Sequence, residues 1–542
     1  YYPTKIQRRA QANPEGSASD GRYRTIDNNH YLFESVLKYS NALFDNHNID
    51  LIFGYAAEYR HAKNSYQRHR QFADDIIHTL NDSRSSVFDS QTWEDEDGLI
   101  SYFARGIYNF KDRYIVSASL RRDGSSRFGP DNKWGLFPAF SLAWRISDEP
   151  FFRLSFVDDT KLRLSWGVTG NNSIPNYAYY GRLSTYNYSF GNSLAVGYGP
   201  ATLSNDELGW ERTVSIDVGL DLSLFERRLN ITADVYRKLT EDLLLEVPVP
   251  LATGYATGWR NIGKVENKGV ELQVEGLIYG SNNFNVRSSF NVTFNRNKVL
   301  KLGPGDAPIY MGFAGQTAII KVGEPLMAYY MYDAIGVYMN EEDLQNSPHM
   351  STNIVGDVKY RDVNGDGVIN ADDRTIVGYR DPTYWWGWYN NIRYKNVELS
   401  FLLQGAGGNK IYSILGRAID RPGMGAEGNK LGRWRNRWRS PENPGDGKTP
   451  RIDGTTGSLY DSRWLYDATY VRLKNVTISY TLPAHKLISG LSNVRIYVSG
   501  ENLYLYDHYY GGYSPEAESN EGGDYGTYPV ARTITVGLNF EF

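Results

Sequence analysis

The chain has 542 residues, with 58 basic and 62 acidic side chains and a net charge of −4. This balance gives no reason to expect nucleic acid or an anionic membrane surface as a partner, and the absence of cysteine excludes disulfides and cysteine-based zinc or redox sites. No window approaches the roughly 18 apolar residues of a membrane-spanning helix, so a soluble protein and a transmembrane barrel both stay open.

Aromatic and glycine residues are unusually frequent. Aromatics make up 14% of the chain, with 43 Tyr and 12 Trp, and there are 53 Gly. This composition is typical of a β-rich protein with long loops, including membrane barrels with aromatic girdles. A large secreted β-protein has the same composition, so it stays as an alternative.

The N-terminal segment "YYPTKIQRRAQANPEGSASDGRYRT" is polar and lacks the apolar core of a signal peptide. For an exported protein, we therefore expect that this sequence begins after processing, or that it is the later part of something longer.

Alternating apolar and polar residues predict β-strands along most of the chain. In "TVSIDVGLDLSLF", apolar residues from Val214 to Leu224 share one face, whereas Asp217 and Asp221 lie on the other. The same period of two recurs in "YIVSASLRRD", "KLRLSWGVT", "LNITADVY", "GVELQVEG", "FNVRSSFNVTFN", "NVRIYVSGENLY" and "TITVGLNFEF". This period is that of a strand and not of a helix. In these segments we expect the apolar face to carry no charge.

Strand length favours a barrel over a sandwich. Runs of about ten residues match membrane-barrel strands and exceed the usual 5–6 of sandwiches. We count roughly sixteen antiparallel strands between about Tyr31 and Phe542. Short links such as "NFKDR" and "FERRLN" alternate with long ones, roughly 60–97, 171–209, 340–381, 407–468 and 505–530, which is the asymmetry of outer-membrane barrels. Counting inward from the two termini disagrees near residues 300–326, so one strand is miscounted there.

The segment "DVNGDGVINADD" has the pattern of a calcium loop, although its flanks resemble strands and not the helices of an EF-hand. Gly367 fits the sharp turn at the sixth position. The ion would be held by Asp362, Asn364, Asp366, the carbonyl of Val368, Asn370 through water, and Asp373. We expect a structural calcium ion that braces a long loop; the alternative is an Asp/Gly-rich turn that binds nothing.

Two segments concentrate Trp and Arg, "PTYWWGWYNN" and "GRWRNRWRSPENP". Their tryptophans Trp385, Trp386, Trp434 and Trp438 are candidates for stacking on sugar rings or gripping a peptide. The alternative is that these residues form part of an aromatic girdle and of a folded loop core.

No set of residues indicates an enzyme. Adjacent carboxylates such as Glu341 and Glu342 lack catalytic partners, and the eight His show no zinc-ligand spacing. "GDGKTP" lacks the glycine spacing and strand–helix context of a P-loop. We therefore expect no catalytic activity.

Several motifs, in order, resemble one family. They are "YNFKDRYIVSASLRRDGSSRFGPDNKWGLFPAFSLAWRIS", "NIGKVENKGVELQVEG", "DVNGDG", "DATYVRLKNVTISYTLP", "VRIYVSGENLY" and "YPVARTITVGLNFEF". Together they resemble the SusC/RagA-like TonB-dependent outer-membrane transporters of Bacteroidetes, and the match spans nearly the whole chain. Phe542 is similar to the terminal aromatic by which outer-membrane barrels are recognised for assembly.

The resemblance implies a fold and a set of partners. Members of the family carry a plug domain and a 22-stranded transmembrane barrel, and residues 1–542 resemble about the last sixteen strands of that barrel, with long extracellular loops. The plug domain and the TonB box are not readable in this chain. The implied partners are a SusD-like surface lipoprotein, the TonB complex, outer-membrane lipid, an N-terminal barrel and plug portion in the same or a separate chain, and an oligomeric nutrient.

The sequence therefore supports two hypotheses. The first is a portion of an outer-membrane, TonB-dependent importer of glycan or peptide oligomers, working as the SusC-like barrel of a SusCD-type complex. The second is a soluble or surface-attached, calcium-braced β-rich binding or adhesion protein. Neither hypothesis identifies the substrate.

Overall fold

The computed structural model of the protein describes residues 7–9, 20–44, 46–70, 79–80, 86–191, 193–255, 257–312, 317–421, 431–452, 459–483, 490–516 and 527–542. Most of its regular structure is β-strand, which confirms the predicted all-β class. Much of the polar N-terminal segment lies outside the described residues. None of the described helices has the length and apolar character needed to cross a membrane.

One antiparallel sheet of 16 strands dominates the fold, and its strands lie side by side in chain order. The alternation predicts roughly sixteen strands from about Tyr31 onward; Gln7–Arg9 lies before that region, so the main sheet has one strand fewer there. Numbered along the chain, the strands are β1 (Gln7–Arg9), β2 (Asp20–Leu43), β3 (His47–Arg70), β4 (Ser86–Phe110), β5 (Tyr114–Ser125), β6 (Trp134–Arg145), β7 (Val157–Asn171), β8 (Glu211–Leu224), β9 (Leu229–Glu241), β10 (Lys264–Gly280), β11 (Phe284–Lys301), β12 (Tyr384–Tyr394), β13 (Val397–Gly407), β14 (Tyr470–Pro483), β15 (Asn493–Asp507) and β16 (Thr533–Glu541).

Shorter elements occupy the links between these strands. Four pairs of short strands are Leu183–Phe190 with Ser193–Pro200, Leu244–Pro248 with Thr257–Asn261, Ala334–Val337 with Val358–Tyr360, and Lys410–Tyr412 with Leu465–Asp467. A separate four-stranded sheet consists of Ile309–Met311, Ala318–Ile320, Ala328–Met331 and Thr375–Tyr379. The helices are α1 (Glu341–Gln345) and α2 (Ile414–Asp420), with 3-10 turns at Ile146–Asp148, Leu251–Thr253, Pro304–Asp306, Ala371–Asp373, Gly432–Asn436 and Ser462–Trp464.

Two expected boundaries are corrected by the structure. The main sheet passes directly from β11 to β12, so residues 302–383 form one link, and the strands within it belong to separate sheets. This explains the conflicting strand count near residues 300–326. The long loop expected at 60–97 is wrong over much of its length, because β3 extends to Arg70 and β4 begins at Ser86. Polar cross-strand pairs stabilise these extensions, for example Lys63 and Glu94, whose charged atoms lie 3.1 Å apart.

The chain divides into two compact units. The first comprises Tyr1–Leu142, Trp166–Val214 and Thr240–Ile262, and the second comprises Ala143–Ser165, Ser215–Leu239 and Gly263–Phe542. The assignment of residues 1–542 to one barrel portion stays a prediction. Within the first unit, one loop cluster is buried, and it consists of Phe128, Ile174, Ala178, Tyr179, Leu208 and Leu244.

In the second unit, one face of the sheet is apolar and the other is polar. Cross-strand register pairs Val270 with Phe294 and Leu272 with Val292 on the apolar face. Glu271 lies opposite Thr293 on the other face. Because opposite residues share a face, the alternation read from the sequence is confirmed in this part of the sheet.

In the first unit, the apolar face carries a charge among its apolar residues, at Arg122. Leu37, Phe53 and Tyr102 are among its half-exposed apolar residues. Arg122 lies directly opposite Tyr102 and therefore on the same face. The expectation that the apolar face of "YIVSASLRRD" carries no charge is thus wrong at this position: the two consecutive arginines must point to opposite faces, since the side-chain period of a strand is two.

Candidate functional site

Arg163 is the centre of an ion-pair network on the polar face of the second unit. Its guanidinium donates to both carboxylate oxygens of Asp221, at 2.9 and 3.0 Å, and to Oδ1 of Asp234 at 2.8 Å. Lys161 Nζ lies 2.9 Å from Asp221. These residues come from β7, β8 and β9, so three neighbouring strands are cross-linked by charge.

A glycine makes room for this network. A Cβ atom added at Gly219 would lie 2.6 Å from the Arg163 guanidinium carbon and would also collide with Asp234. The sequence alternation places Asp221 and Asp234 on the polar face, but it does not show that one arginine joins them. The network gives this face both signs of charge, which suits the polar interior of a transport channel.

Two long links of the second unit fold together. We use the name loop core for the described part of residues 302–383 and 408–469. Within it, Lys410–Tyr412 pairs with Leu465–Asp467. One buried cluster consists of Tyr329, Met331, Tyr412, Ile414 and Trp464. The loops therefore have a hydrophobic core of their own.

Asp461 joins the two links of the loop core. It is completely buried and accepts hydrogen bonds from Tyr360 Oη at 2.9 Å and from Arg463 Nη2 at 2.6 Å. Burial, followed by the charge of Asp461, raises the pKa of Tyr360 well above its ordinary value, so this phenol stays protonated and donates. Sequence reasoning missed Asp461 because its partner Tyr360 lies far away along the chain.

The predicted calcium loop lies in the loop core between the strands Val358–Tyr360 and Thr375–Tyr379, as its flanks indicated. Gly367 has a φ of 84°, which fits the turn that the motif requires. The Asp362 carboxylate accepts from Gly365 N at 2.6 Å and from Gly367 N at 2.9 Å. The hydrogen bond from Gly367 N, with that from Gly365 N, holds the pKa of Asp362 below its ordinary value, although burial opposes the shift.

The donors of this loop suit calcium in their chemistry, because each would offer an oxygen. In the structure, however, Asp373 is buried and accepts from Val363 N at 2.9 Å and from Asn370 N at 2.8 Å. Asp366 Oδ1 accepts from Val368 N at 2.9 Å, and Asn364 Oδ1 accepts from Asp366 N at 3.0 Å. Across the described ranges, no three His, Cys, Asp or Glu side chains are grouped so as to hold a metal ion. Calcium binding therefore stays a prediction.

The tryptophans of β12 lie on opposite faces of the sheet. Trp386 is opposite Val292 on the apolar face, and its ring stacks with Phe290 at a centroid distance of 6.4 Å. Trp385 is opposite Thr293 on the polar face and is 38% exposed. Of these two candidates, only Trp385 is positioned to contact a polar substrate.

The other two tryptophan candidates pack inside the loop core. Trp434 is 5% exposed, and its indole Nε1 donates to the backbone carbonyl of Asp420 at 3.1 Å. Trp438 packs against the cluster of Tyr338, Leu344 and Val355, and its Nε1 donates to Met339 O at 3.0 Å. Both indole N–H groups are therefore used within the fold, which favours the interpretation of these residues as loop core.

Phe542 follows the last residue of β16 and is 89% exposed. Its side chain is therefore available to another molecule. Its role as an assembly signal stays a prediction.

The sequence of the chain matches the family described as TonB dependent receptor-like, beta-barrel, over residues 1–503. TonB-dependent receptor P3 of Formosa agariphila is 33% identical over 97% of this chain and 53% of its own length. TonB-dependent receptor SusC of Bacteroides thetaiotaomicron is 30% identical over 82% of this chain and 44% of its own length. The chain thus spans about half the length of the curated relatives it matches.

A solved structure has the same fold. The RagAB peptide transporter aligns with a TM-score of 0.84 and 24% identity, over 99% of this chain and 58% of the solved chain. This likeness shows that the 16-stranded sheet has the fold of a TonB-dependent barrel. The relatives are named as receptors, and none of these names denotes an enzyme. Family membership places the chain in the outer membrane, and the chain belongs to the TonB-dependent receptor-like β-barrel family, in its SusC/RagA-like form.

Proposed function

We propose that the chain is the larger part of the barrel of an energised importer that carries glycan or peptide oligomers across a Bacteroidetes-type outer membrane. The observation that carries the proposal is the sheet of the second unit, which has one apolar face and one polar face that is cross-linked by Arg163. A transmembrane channel needs this division, because lipid contacts one face and water and solute contact the other.

Additional strands complete the barrel in this proposal. β2 pairs with β1 only through residues 20–22, so most of its other edge has no partner within the described residues. Backbone N–H and C=O groups cannot stay unsatisfied in lipid. An N-terminal portion, in the same or a separate chain, would supply the missing strands together with the plug and the TonB box.

The partners follow from the same proposal. TonB would act through the plug, and a SusD-like lipoprotein would close over the long loops. One similar structure is that of a peptide transporter, which supports a peptide cargo. The name of the SusC relative specifies no cargo, so a glycan oligomer stays an alternative.

Copurification tests this proposal. We would tag the chain in its host, extract the outer membrane with detergent, and determine intact masses and N-terminal sequences of everything that copurifies. We expect a plug-bearing segment, either in one longer chain or in a second one. Recovery of the chain alone, in the soluble fraction without detergent, would contradict the importer and favour the binding or adhesion hypothesis.

Growth of a deletion strain tests whether the protein imports oligomers. A strain without the protein is expected to lose growth on peptide or glycan oligomers and to keep growth on the corresponding monomers. Loss of growth on only one oligomer class would identify the cargo. Unchanged growth on both, with the protein present in the parent strain, would contradict import of these oligomers.

We also propose that the segment from Asp362 to Asp373 binds calcium and braces the loop core. Three carboxylates, two amides and one carbonyl form a hard oxygen donor set. Terbium luminescence, followed by displacement with calcium, would report binding without an uptake assay. We expect binding to be lost in Asp362→Asn combined with Asp366→Asn. Equal terbium binding by this variant would show that the segment is an Asp/Gly-rich turn only.

A further inference from the structure

Arg122 is an isolated cation on the apolar face of the first unit. Its neighbours on β5 on that face are Leu120 and Gly124, and it lies opposite Tyr102. The Arg122 guanidinium stands over the Trp134 ring at 4.7 Å from the centroid. Throughout the part of the chain that the structure describes, no carboxylate pairs with Arg122, whereas the adjacent Arg121 donates to Asp123 on the other face at 2.8 Å.

A cation in this position is costly in lipid. A charged Arg on a lipid-facing barrel strand is most destabilising near the midplane of the membrane and least destabilising near its interfaces. Stacking on Trp134 compensates part of this cost. An external anion at the same level would compensate the rest, since none of the described residues supplies an anion to Arg122.

The residues around Arg122 locate it near the edge of the apolar band. Arg122 lies eight positions beyond Tyr114, so roughly 26 Å along the strand at about 3.3 Å per residue. On the same face, Tyr59 and Gly98 form the last apolar pair, and His61 and Glu96 follow as a polar pair. Arg122 therefore lies on the long-loop side, close to the level at which lipid head groups begin.

An apolar groove lies beside Arg122. Its volume is about 520 Å³, and its walls include Tyr31, Phe33, Tyr59 and Trp134. Gly98 and Gly124 lie between these rings and leave the floor without side chains. The volume and the aromatic lining of the groove suit a hydrocarbon chain, and aromatic side chains are enriched at membrane interfaces.

The charges at the groove favour an anionic head group. Lys133 belongs to the lining, but its carbonyl accepts from Ser125 N, which places its side chain with Ser125 on the other face, so Arg122 is the cation beside the groove. Glu58 is the acidic residue of the lining, and it already forms an ion pair with Arg60. Guanidinium groups match phosphate oxygens in pairs, which makes a phosphate a suitable anion for Arg122.

We propose that this groove is a specific site for a phosphate-bearing lipid of the outer leaflet. One acyl chain occupies the groove between Tyr31 and Trp134, and the lipid phosphate contacts Arg122. The inference rests on the membrane position that the family implies, and it does not depend on the cargo. Lipopolysaccharide and a phospholipid both offer the required combination of phosphate and acyl chain.

Native mass spectrometry of the whole purified receptor tests the site. Delipidated protein would be titrated in detergent with lipid A, with phosphatidylglycerol or with an uncharged diacylglycerol. We expect tight binding of at least one of the two phosphate lipids and at least about tenfold weaker binding of diacylglycerol. The preferred phosphate lipid would identify the source. Equal affinity for diacylglycerol would overturn the proposal, as would no binding of any phosphate lipid.

Variants distinguish binding of the lipid head group from binding of the acyl chain. Arg122→Gln removes the cation, and we expect at least about tenfold weaker binding of the phosphate lipid. Gly98→Leu fills the groove; a Cβ there lies 3.7 Å from Glu58 O, so the fold has room for it, and binding should also weaken. The matched control is Arg105→Gln, which removes an exposed arginine of β4 from the polar face. Equal weakening by Arg105→Gln would show that net charge, and not the groove, attracts the lipid.

A conservative substitution controls for misfolding of the Arg122→Gln variant. Arg122→Lys keeps the charge, so it should retain most of the binding even if Arg122→Gln yields too little folded protein. Loss of lipid binding in a folded Arg122→Lys variant, together with unchanged binding in Gly98→Leu, would contradict the proposal that the groove is the lipid site. Failure of the importer hypothesis would appear instead as a receptor that is soluble without detergent.

Discussion

The loop core and the hairpin of residues 183–200 differ in which side chains they bury and which they expose. The loop core buries charge: Asp357, Asp420 and Asp461 are each at most 1% exposed and each pairs with an arginine. The hairpin contains no ionisable acid or base between residues 183 and 200 other than tyrosine, and it exposes its apolar side chains. Tyr188 and Phe190 are 64% and 68% exposed, although their rings are only 4.8 Å apart.

This difference shows that a binding-like composition does not mark a binding surface. The Trp- and Arg-rich segment at residues 432–444 has the residues expected of a recognition loop, yet the loop core uses Trp434 and Trp438 internally. The hairpin has no recognisable motif, yet it exposes contiguous apolar surface. Buried charge indicates a part that maintains structure, whereas exposed apolar surface indicates a part available for contact.

The largest expected effect comes from breaking a buried pair of the loop core. Asp461→Ala leaves Arg463 and Tyr360 without their acceptor, and this should destabilise the loop core by about 3–5 kcal/mol. Because the chain has no cysteine, a thiol placed at the buried position 468 would report opening of the loop core. We expect much faster thiol labelling of Ala468→Cys in the Asp461→Ala background.

Two controls sharpen this measurement. Ser193→Cys, in the exposed hairpin, should be labelled at the same rate in both backgrounds, since the hairpin does not depend on Asp461. Glu442→Ala removes an exposed carboxylate of the loop core and should change its stability by less than about 0.5 kcal/mol. Slow labelling at position 468 in Asp461→Ala would show that the buried pair contributes little.

Alkaline pH should act on several residues of the loop core together. Burial raises the pKa values of Tyr338, Tyr360 and Tyr412. A raised pKa in the folded state means that the stability contribution is complete below about pH 10, the ordinary tyrosine value, and is lost as the pH rises above it. We expect the ratio of labelling rates at Ala468→Cys and Ser193→Cys to stay constant up to about pH 10 and to increase beyond it. The ratio cancels thiol ionisation; a constant ratio well above that pH would contradict the expectation.

The main sheet could be predicted from the sequence because each strand carries its own signal. Val270, Leu272 and Val274 alternate with acidic and amide residues, and the register places them on one face as expected. Local alternation also misleads, because Ala328–Met331 is a strand but pairs within the separate four-stranded sheet. A period of two identifies a strand and not the sheet to which it belongs.

The contacts of the loop core could not be predicted in this way. Tyr360 and Asp461 are joined across two links, and neither residue belongs to a periodic pattern. The Asp362–Asp373 segment could be located because its spacing is a motif, but its occupancy by calcium depends on side-chain positions that spacing does not define. The position of Arg122 on the apolar face does follow from the sequence, because two consecutive arginines in one strand point to opposite faces.

A smaller effect is expected when only one hydrogen bond to Asp461 is removed. Tyr360→Phe keeps the ring in its cluster with Val358 and Ile369 and deletes the donor, at a cost of about 1–3 kcal/mol. Tyr332→Phe is the matched control, because its ring lies 5.2 Å from that of Tyr360. Labelling at Ala468→Cys should increase more in Tyr360→Phe than in Tyr332→Phe. Equal rates would indicate that Arg463 alone satisfies Asp461.

The smallest effect on stability is expected in the hairpin. Its base is fixed by the hydrogen bond from Ala201 N to Arg182 O at 2.7 Å, and its strands pair in register from Leu183 and Pro200 to Phe190 and Ser193. Tyr188→Ser should therefore change the free energy of unfolding by less than about 0.5 kcal/mol, which chemical denaturation in detergent would measure.

The same substitution should change association more than stability. An uncharged ribbon with exposed rings, which pairs with no further strand among the described residues, favours contact with other molecules. We therefore expect Tyr188→Ser to reduce self-association of the purified protein, measured by light scattering at equal detergent concentration. A loss of stability of several kcal/mol, with unchanged scattering, would mean that Tyr188 packs as the loop-core residues do, and the contrast between the two regions would fail. Unchanged stability with reduced scattering would confirm that the hairpin exposes its rings for contact.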